Sequence, residues 1–360
     1  MAAFKEGKVL EVTSQDERLV RARVSVAGGE VAAIGYPPHV ARLSVGDRVV
    51  LNVTGIELEL GTGGTGFILW NLDAPPPDDD LDGHIVKLRY TPWQVNVTSV
   101  EAQESGHHEL MVAAGSLKGT PVVACSLHSQ VPAAAAGIRA ARPDARIGYL
   151  MTDGAALPLA FSDLVRAMTE ARLIDITCTA GHAFGGDLEA VNVFSGLAAL
   201  ATVAGCDAIV AAMGPGVVGT GTALGFTGME QGQITDATIA LGGVAVAALR
   251  ISFHDERERH KGVSHHSITA LSVAARERCV VAVPKLRPAE ARAVKEQLDG
   301  SDVCRKHDVV VADGRPGVRW LLDHDLVPTS MGRSMTDAPE LWLAAAAAGA
   351  IATQPPEGHG

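Results

Sequence analysis

Large aromatic side chains are scarce in this chain, at 4% of residues against 47% hydrophobic overall. A core built mainly of Ala, Val and Gly favours closely packed helix-on-sheet layers over a sandwich of bulky rings. Cysteine is sparse as well. Cys125, Cys178, Cys206, Cys279 and Cys304 are odd in number and scattered, without a CxxC or Cys/His spacing. Nothing there resembles a zinc module, and reduced thiols in a cytoplasmic protein are the simplest reading. Catalytic use of Cys125 or Cys178 stays open. Positive charge is in deficit, with 30 Lys and Arg against 41 Asp and Glu and a net charge of −11. That balance argues against nucleic acid or a membrane surface as a partner, but a local basic pocket can still serve a small anion. Long apolar runs are missing too. The most apolar stretch, Leu197 to Met213, is broken by Gly205 and Asp207, and the opening MAAFKEGKVLEV lacks the apolar centre of a signal peptide. Several mechanisms lack their parts altogether: there is no GxxxxGK[ST], no G-x-S-x-G, no HExxH and no EF-hand loop.

What is present falls into two rhythms. Residues 1 to about 75 carry short alternating or β-branched runs (GKVLEV, LVRARVSV, VAAIGY, DRVVLNVT, FILWNL) split by Gly, Pro and Asp. They predict a small barrel-like domain. The stretch DAPPPDDDLDG, residues 73–83, reads as an exposed loop, and the two extended segments HIVKLRY and WQVNVTSVE after it can join either domain. From Thr120 apolar strands alternate with helical patterns near 132–142, 157–172, 187–204, 231–242, 267–277, 288–299 and 316–323. Such βαβ spacing predicts a mainly parallel, doubly wound, Rossmann-like α/β sheet. We expect a β-rich domain over 1–118, an α/β domain over 119–330, and a C-terminal helix and tail over 331–360. Asp337 is the expected N-cap of the last helix, with Pro339 in its first turn. The Ala-rich surface of that helix could pack across a homodimer.

In an open parallel sheet, ligands bind beyond the carboxyl ends of the strands. Five successive strand ends here carry polar or glycine-rich loops, whereas the opposite ends carry short turns. The first loop offers His128, the second Asp153, and the third, AGHAFGGDLE, offers His182 and Asp187. Asp187 can equally cap a helix starting there, with Glu189 in the first turn. The fourth loop holds Gly214, Gly216, Gly219 and Gly221. It contains a formal G-x-G-x-x-G, but it follows the fourth strand and its glycines run on to Gly228, so a nucleotide cofactor is not expected. Bare backbone amides approaching an anion are the better reading, beside that of a merely mobile loop. The fifth loop, FHDERERHKGVSHHS, concentrates His254, His260, His265 and His266 beside Arg257, Arg259 and Lys261. Imidazoles among arginines suit a phosphate or carboxylate. A divalent metal remains open if His260 and His265 join Asp153 or Asp187, and a solvated charged loop is the bland alternative.

The strings LNVTGIELELGTGG, KLRYTPWQ, MTDGAALP, GHAFGGDLEAVN, MGPGVVGTGT, RISFHDERERHKGVSHHS and VPTSMGR resemble a bacterial family catalogued only as a domain of unknown function, number thirty-eight sixty-six. The resemblance runs from about Gly7 to Gly349 and implies no activity and no catalytic residue. A looser similarity, in DAIVAAMGPGVVG and GGVAVAALRIS, to subunits of amino-acid reductases follows a pattern common among doubly wound folds. The residues themselves lead to two expectations. The first is an enzyme, a hydrolase or group transferase, acting on a small anionic metabolite: His254, His260, His265, His266 and Asp153 would supply chemistry, and His128, His182, Asp187 and the four glycines would bind. The second is a non-catalytic ligand-binding or regulatory protein whose β domain holds a partner.

Overall fold

A computed structural model describes residues 2–60, 64–75, 83–155 and 157–354. The chain divides into two compact units, one of residues 1–82 with 91–93, the other of 83–90 with 94–360. The first unit is a closed barrel of β1 (Phe4–Gln15), β2 (Val20–Val26), β3 (Gly29–Gly35), β4 (Arg48–Asn52) and β5 (Thr65–Asn71), in the order β1-β2-β3-β5-β4. β2 shows why it closes: Val20, Ala22 and Val24 point inward and are buried, while Arg21 and Arg23 alternate outward. Closure leaves no unpaired edge. The expected Pro/Asp loop lies largely outside the described residues, as does most of the C-terminal tail.

The second unit opens with a hairpin, β6 (Ile85–Lys87) and β7 (Val95–Val97). Its sheet contains β8 (Pro121–Ala124), β9 (Ile147–Thr152), β10 (Ile176–Ala180), β11 (Leu188–Ala190), β12 (Ala208–Met213) and β13 (Val244–Ala248). After a small hairpin, β14 (Ile251–Ser252) and β15 (Gly262–Val263), come β16 (Val280–Pro284) and β17 (Asp308–Ala312). The eight sheet strands are all parallel, in the order β11-β10-β9-β12-β8-β13-β16-β17. β9 and β12 are buried along their whole length, so they read as continuous apolar runs. Alternate residues still serve opposite layers. Ile147, Tyr149 and Met151 join the core under the helices Val131–Ala141 and Pro339–Ile351, and Leu150, Ile209 and Ala211 join the core under Val193–Thr202 and Glu230–Ala240.

The Ala-rich C-terminal helix is buried inside its own unit. Trp342 and Ala344 through Ala348 are inaccessible, and a Cβ at Gly349 would overlap the Ala134 carbonyl oxygen of the neighbouring helix. Its alanines therefore pack within the chain. Its N-cap is Ala338, one residue later than expected, because the Asp337 carboxylate instead accepts from Ser334 N and Oγ.

The strand order has two reversal points. From β9 the chain winds towards β10 and from β12 the opposite way, to β13; β8 and β13 diverge likewise. Crevices therefore form at the carboxyl ends between β9 and β12 and between β8 and β13. The second crevice is sealed by amides. Gln231 Nε2 donates to the carbonyls of Ala124 and Ala248, both at 2.8 Å, and Gln130 Nε2 donates to Leu249 O at 2.9 Å.

Candidate functional site

Beyond β13 the chain makes the β14–β15 hairpin, whose long connection ends in a single helical turn, Glu258–His260. Ser264 follows and caps a five-residue helix, His265–Thr269, by accepting the His266 N–H at 3.2 Å. The helix then loosens into a π-helical turn, Ala270–Ala274, where one helix near 267–277 was expected. The hairpin folds His260 back onto the helix start. Ring centroids lie 5.0 Å apart for His260 and His265, 4.9 Å for His260 and His266, and 4.3 Å for His265 and His266. One nitrogen from each ring falls within 4.8 Å of the others.

The glycine-rich loop after β12 lies over this cluster. Phe226 stacks flat on His266, with centroids 3.9 Å apart and planes at 3°. A Cβ on Gly219 would sit 3.4 Å from His266 Cε1, and Gly221, at φ 79°, lies against the exposed guanidinium of Arg259. The positive φ of Gly221 favours glycine at that position.

Electrostatics keeps the imidazoles neutral. Burial, reinforced by Arg250 and Arg257, pulls His260 down to about 4. Burial and then His265 pull His266 down to about 3, and burial, Arg259, Arg250 and Arg257 lower His265. The arginines are organised by Asp255, a buried carboxylate that accepts from Arg257 Nε at 2.9 Å and Arg333 Nη1 at 3.4 Å, with Arg250 at 3.6 Å. Hydrogen bonds from Arg257 hold that carboxyl far below the usual range, and desolvation brings buried Arg250 down to about 10. Among the described residues, buried His265 Nε2 has no hydrogen-bond partner.

The β9–β12 crevice lies along the same rim. Asp153 accepts the His182 N–H at 3.2 Å, and a Cβ on Gly181 would overlap its carboxylate. His182 Nδ1 accepts the Leu88 N–H at 2.9 Å, which puts the proton of the neutral ring on Nε2. Gly216 packs beside Ala155, and Gly214 beside Met151 and Leu157. Gly154 approaches Glu230, at the start of the helix Glu230–Ala240. Burial, helped by the charge of Asp153, pushes the Glu230 carboxyl up to about 7. Hydrogen bonds from the Thr152 hydroxyl and the Gly154 N–H act in the opposite direction.

Asp153 thus meets His182, Gly216 meets Ala155, and Gly219 and Gly221 meet His266 and Arg259, with the glycine loop joining these groups along the chain. The remaining candidates serve elsewhere. His254 is half exposed and faces Glu340 at 3.6 Å. Buried His128 bonds Tyr149 Oη at 2.9 Å and Ser162 Oγ at 2.7 Å, so both ring nitrogens are engaged in the core. Asp187 caps no helix. It precedes the short strand β11, and its carboxylate accepts from Thr177 N and Oγ1, both at 2.8 Å. The helix beyond starts at Val193 under an Asn192 cap. Glu189, expected in a first helical turn, sits on β11 and pairs at 2.6 Å with Lys87 Nζ, a fully buried lysine that also donates to the Ala183 and Thr179 carbonyls. Cys125 and Cys178 are buried, and burial raises both thiols far above the range of a reactive cysteine. Sequence reasoning missed Phe226, Glu230, Arg250, Asp255 and Arg333. Asp255 stood in the quoted histidine motif, but nothing in one sequence marks a carboxylate as the centre of three arginines.

Fold and site together define a class: an α/β protein with a barrel ahead of its parallel sheet and a histidine–arginine–glycine rim at the carboxyl ends of the strands. The chain matches, over residues 32–349, the model of a family described as protein of unknown function (DUF3866), and it belongs to that family. No curated protein matches it. Among the described residues no helix is long and apolar enough to cross a membrane.

Proposed function

We propose that this rim is the active site of a bacterial cytoplasmic enzyme, a hydrolase or group transferase acting on a small anionic metabolite. The observation that carries this reading is the seating of Gly219 and Gly221 on His266 and Arg259, which joins bare backbone to imidazole and guanidinium in one place. The arginines supply the affinity. Arg257 and Arg333 are held by Asp255, and Arg259 reaches the glycine loop. Guanidinium groups match phosphate and carboxylate oxygens geometrically, so an acidic protein can still concentrate an anion there. The helix at His265 has only five residues, so the positive field comes from side chains more than from a helix dipole. The neutral imidazoles activate the attacking water or acceptor hydroxyl. Its oxygen bonds to the electrophilic centre, the bond to the leaving group breaks, and the released proton ends on the leaving group.

Calorimetric titration with inorganic phosphate tests the binding half. The wild-type protein binds, more weakly as salt rises, and Arg259→Ala weakens binding about 10–100-fold, the cost of one charge-assisted hydrogen bond. Phosphate and dicarboxylate titrations that are both indifferent to Arg259→Ala and Arg257→Ala overturn the reading. Turnover of anionic esters that is lost in His265→Ala, with the thermal melt unchanged, supports the chemical half.

A further inference from the structure

We propose that His260, His265 and His266 form a three-histidine centre for a transition-metal dication of the zinc class, the device by which the rim activates its nucleophile. The inference rests on the anion-site reading and deepens it. Three observations support a metal over a set of separate proton carriers.

The first is geometry. A zinc-class ion sits about 2.0–2.1 Å from each imidazole nitrogen, which sets ligand atoms roughly 3.4 Å apart in a tetrahedron. One nitrogen from each ring already lies within 4.8 Å of the others, so small ring rotations close the set. All three ligands come from one seven-residue span and are gathered by the β14–β15 hairpin and the Ser264 cap.

The second is an orphaned atom. His265 Nε2 is buried without a hydrogen-bond partner among the described residues, in a protein interior where such atoms are normally satisfied. A metal ion would give that nitrogen a partner. Around it the supporting contacts are those a metal centre uses. His260 Nδ1 lies 2.7 Å from Ser264 Oγ; when Nδ1–H donates there, Nε2 presents its lone pair. Phe226 fixes the plane of His266 by stacking on it.

The third is charge. The three neutral imidazoles bring no negative charge of their own, the nearby Asp255 carboxylate is engaged by its arginines, and Arg250, Arg257 and Arg259 all act on the cluster electrostatically. A dication there is repelled until an anion arrives, and a bound anion is attracted by the ion. Metal and anion must therefore bind with positive coupling, equal in both directions. Three protein ligands also leave a fourth position open, for water or for an oxygen of the anion. An acidic triad would hold the metal unaided, but a neutral triad ringed by arginines makes retention depend on the substrate.

Competition titration of chelator-treated, full-length protein with Zn²⁺, and the visible spectrum with Co²⁺, test this directly. We expect one ion per chain, tetrahedral Co²⁺ bands, and binding at least ~10-fold tighter in excess phosphate. His265→Gln should weaken Zn²⁺ binding by more than about 100-fold, since even an outer-shell partner is worth about 10–100-fold. His84→Ala, remote in the sequence and paired with Glu104, should leave the affinity unchanged. Circular dichroism and the melting temperature of His265→Gln separate lost ligation from lost folding, and His260→Gln provides a second ligand variant. Absence of stoichiometric binding, or affinity unchanged in both folded ligand variants, overturns the proposal. Phosphate binding by the metal-free protein with no Zn²⁺ binding would sink the metal centre alone; Zn²⁺ binding with no anion binding would sink the anion reading beneath it.

Discussion

The two crevices of the parallel sheet are furnished in opposite ways. Between β8 and β13, Gln231 spans the Ala124 and Ala248 carbonyls and Gln130 holds Leu249, while His128, in the turn after β8, has both nitrogens bonded to Tyr149 and Ser162. Between β9 and β12, burial and the nearby charge of Asp153 raise the Glu230 carboxyl, against hydrogen bonds from Thr152 and Gly154. One gap is bridged by amides and the other holds a carboxyl displaced from its ordinary range, and we read the second as the one suited to a guest. The same topology thus yields a structural crevice and a chemical one, and side chains alone decide which is which.

The sharpest way to break that contrast is to unseal the first crevice. Gln231→Leu leaves two buried carbonyls without their donor. Each orphan costs about 1–3 kcal/mol, while the lost Gln231 Oε1, itself unpartnered, returns a little. The expected net loss is about 3–4 kcal/mol of unfolding free energy, read from the urea midpoint. A loss below about 1 kcal/mol would mean that the amide bridges do not hold the sheet together.

Next in size is the acid response of the sealed side. Burial pulls His128 from its ordinary 6.5 down to about 4. The unfolded chain then takes up a proton between these values that the folded protein refuses. Stability from this group is complete above pH 6.5 and is lost as pH falls towards 4, by roughly 3 kcal/mol. His128→Gln should remove about one proton from the slope of stability against pH in that window. An unchanged slope would mean that the imidazole is already wet.

The contrast between crevices also marks what was legible in advance. The barrel was readable from alternation, as in VRARVSV, and the parallel sheet from apolar runs bounded by helical periods. The rule that ligands gather at carboxyl strand ends singled out Asp153, His182, the glycines and the histidine loop, of which Asp153 meets His182 and Gly219 and Gly221 meet His266 and Arg259. Local pattern misled where tertiary pairing decided. Leu188–Ala190 consists of good helix formers and became a strand because β10 offered it a ladder. The C-terminal helix, read for packing across a homodimer, is apolar all round and is buried inside the chain. Gln231 opens the helix expected near 231–242 and Glu230 falls just before it, and the pattern marks neither. Only the strand order, which places one over β8 and β13 and the other beside Asp153, separates a plug from a titrating group.

The smallest effect tests that separation most finely. The Glu230 carboxyl stands at about 7 in the folded chain against an ordinary 4.5, chiefly through burial and then through Asp153. Between those values the folded protein holds a proton that the unfolded chain has released, so this group's contribution is fully present below pH 4.5 and is lost as pH rises through 7. Glutamine mimics the protonated acid. Glu230→Gln should therefore match the wild type at pH 4.5 and exceed it at pH 8 by about 1–2 kcal/mol, discounted for the solvent that still reaches the site. Guanidinium melts at the two pH values read the difference. Equal stability at both would mean that water or a neighbouring donor already satisfies the carboxylate, and the β9–β12 crevice would then be as well sealed as its neighbour. A gain confined to high pH leaves a strained acid at the lip of the site, held at a cost that a ligand donating a hydrogen bond or carrying positive charge would relieve.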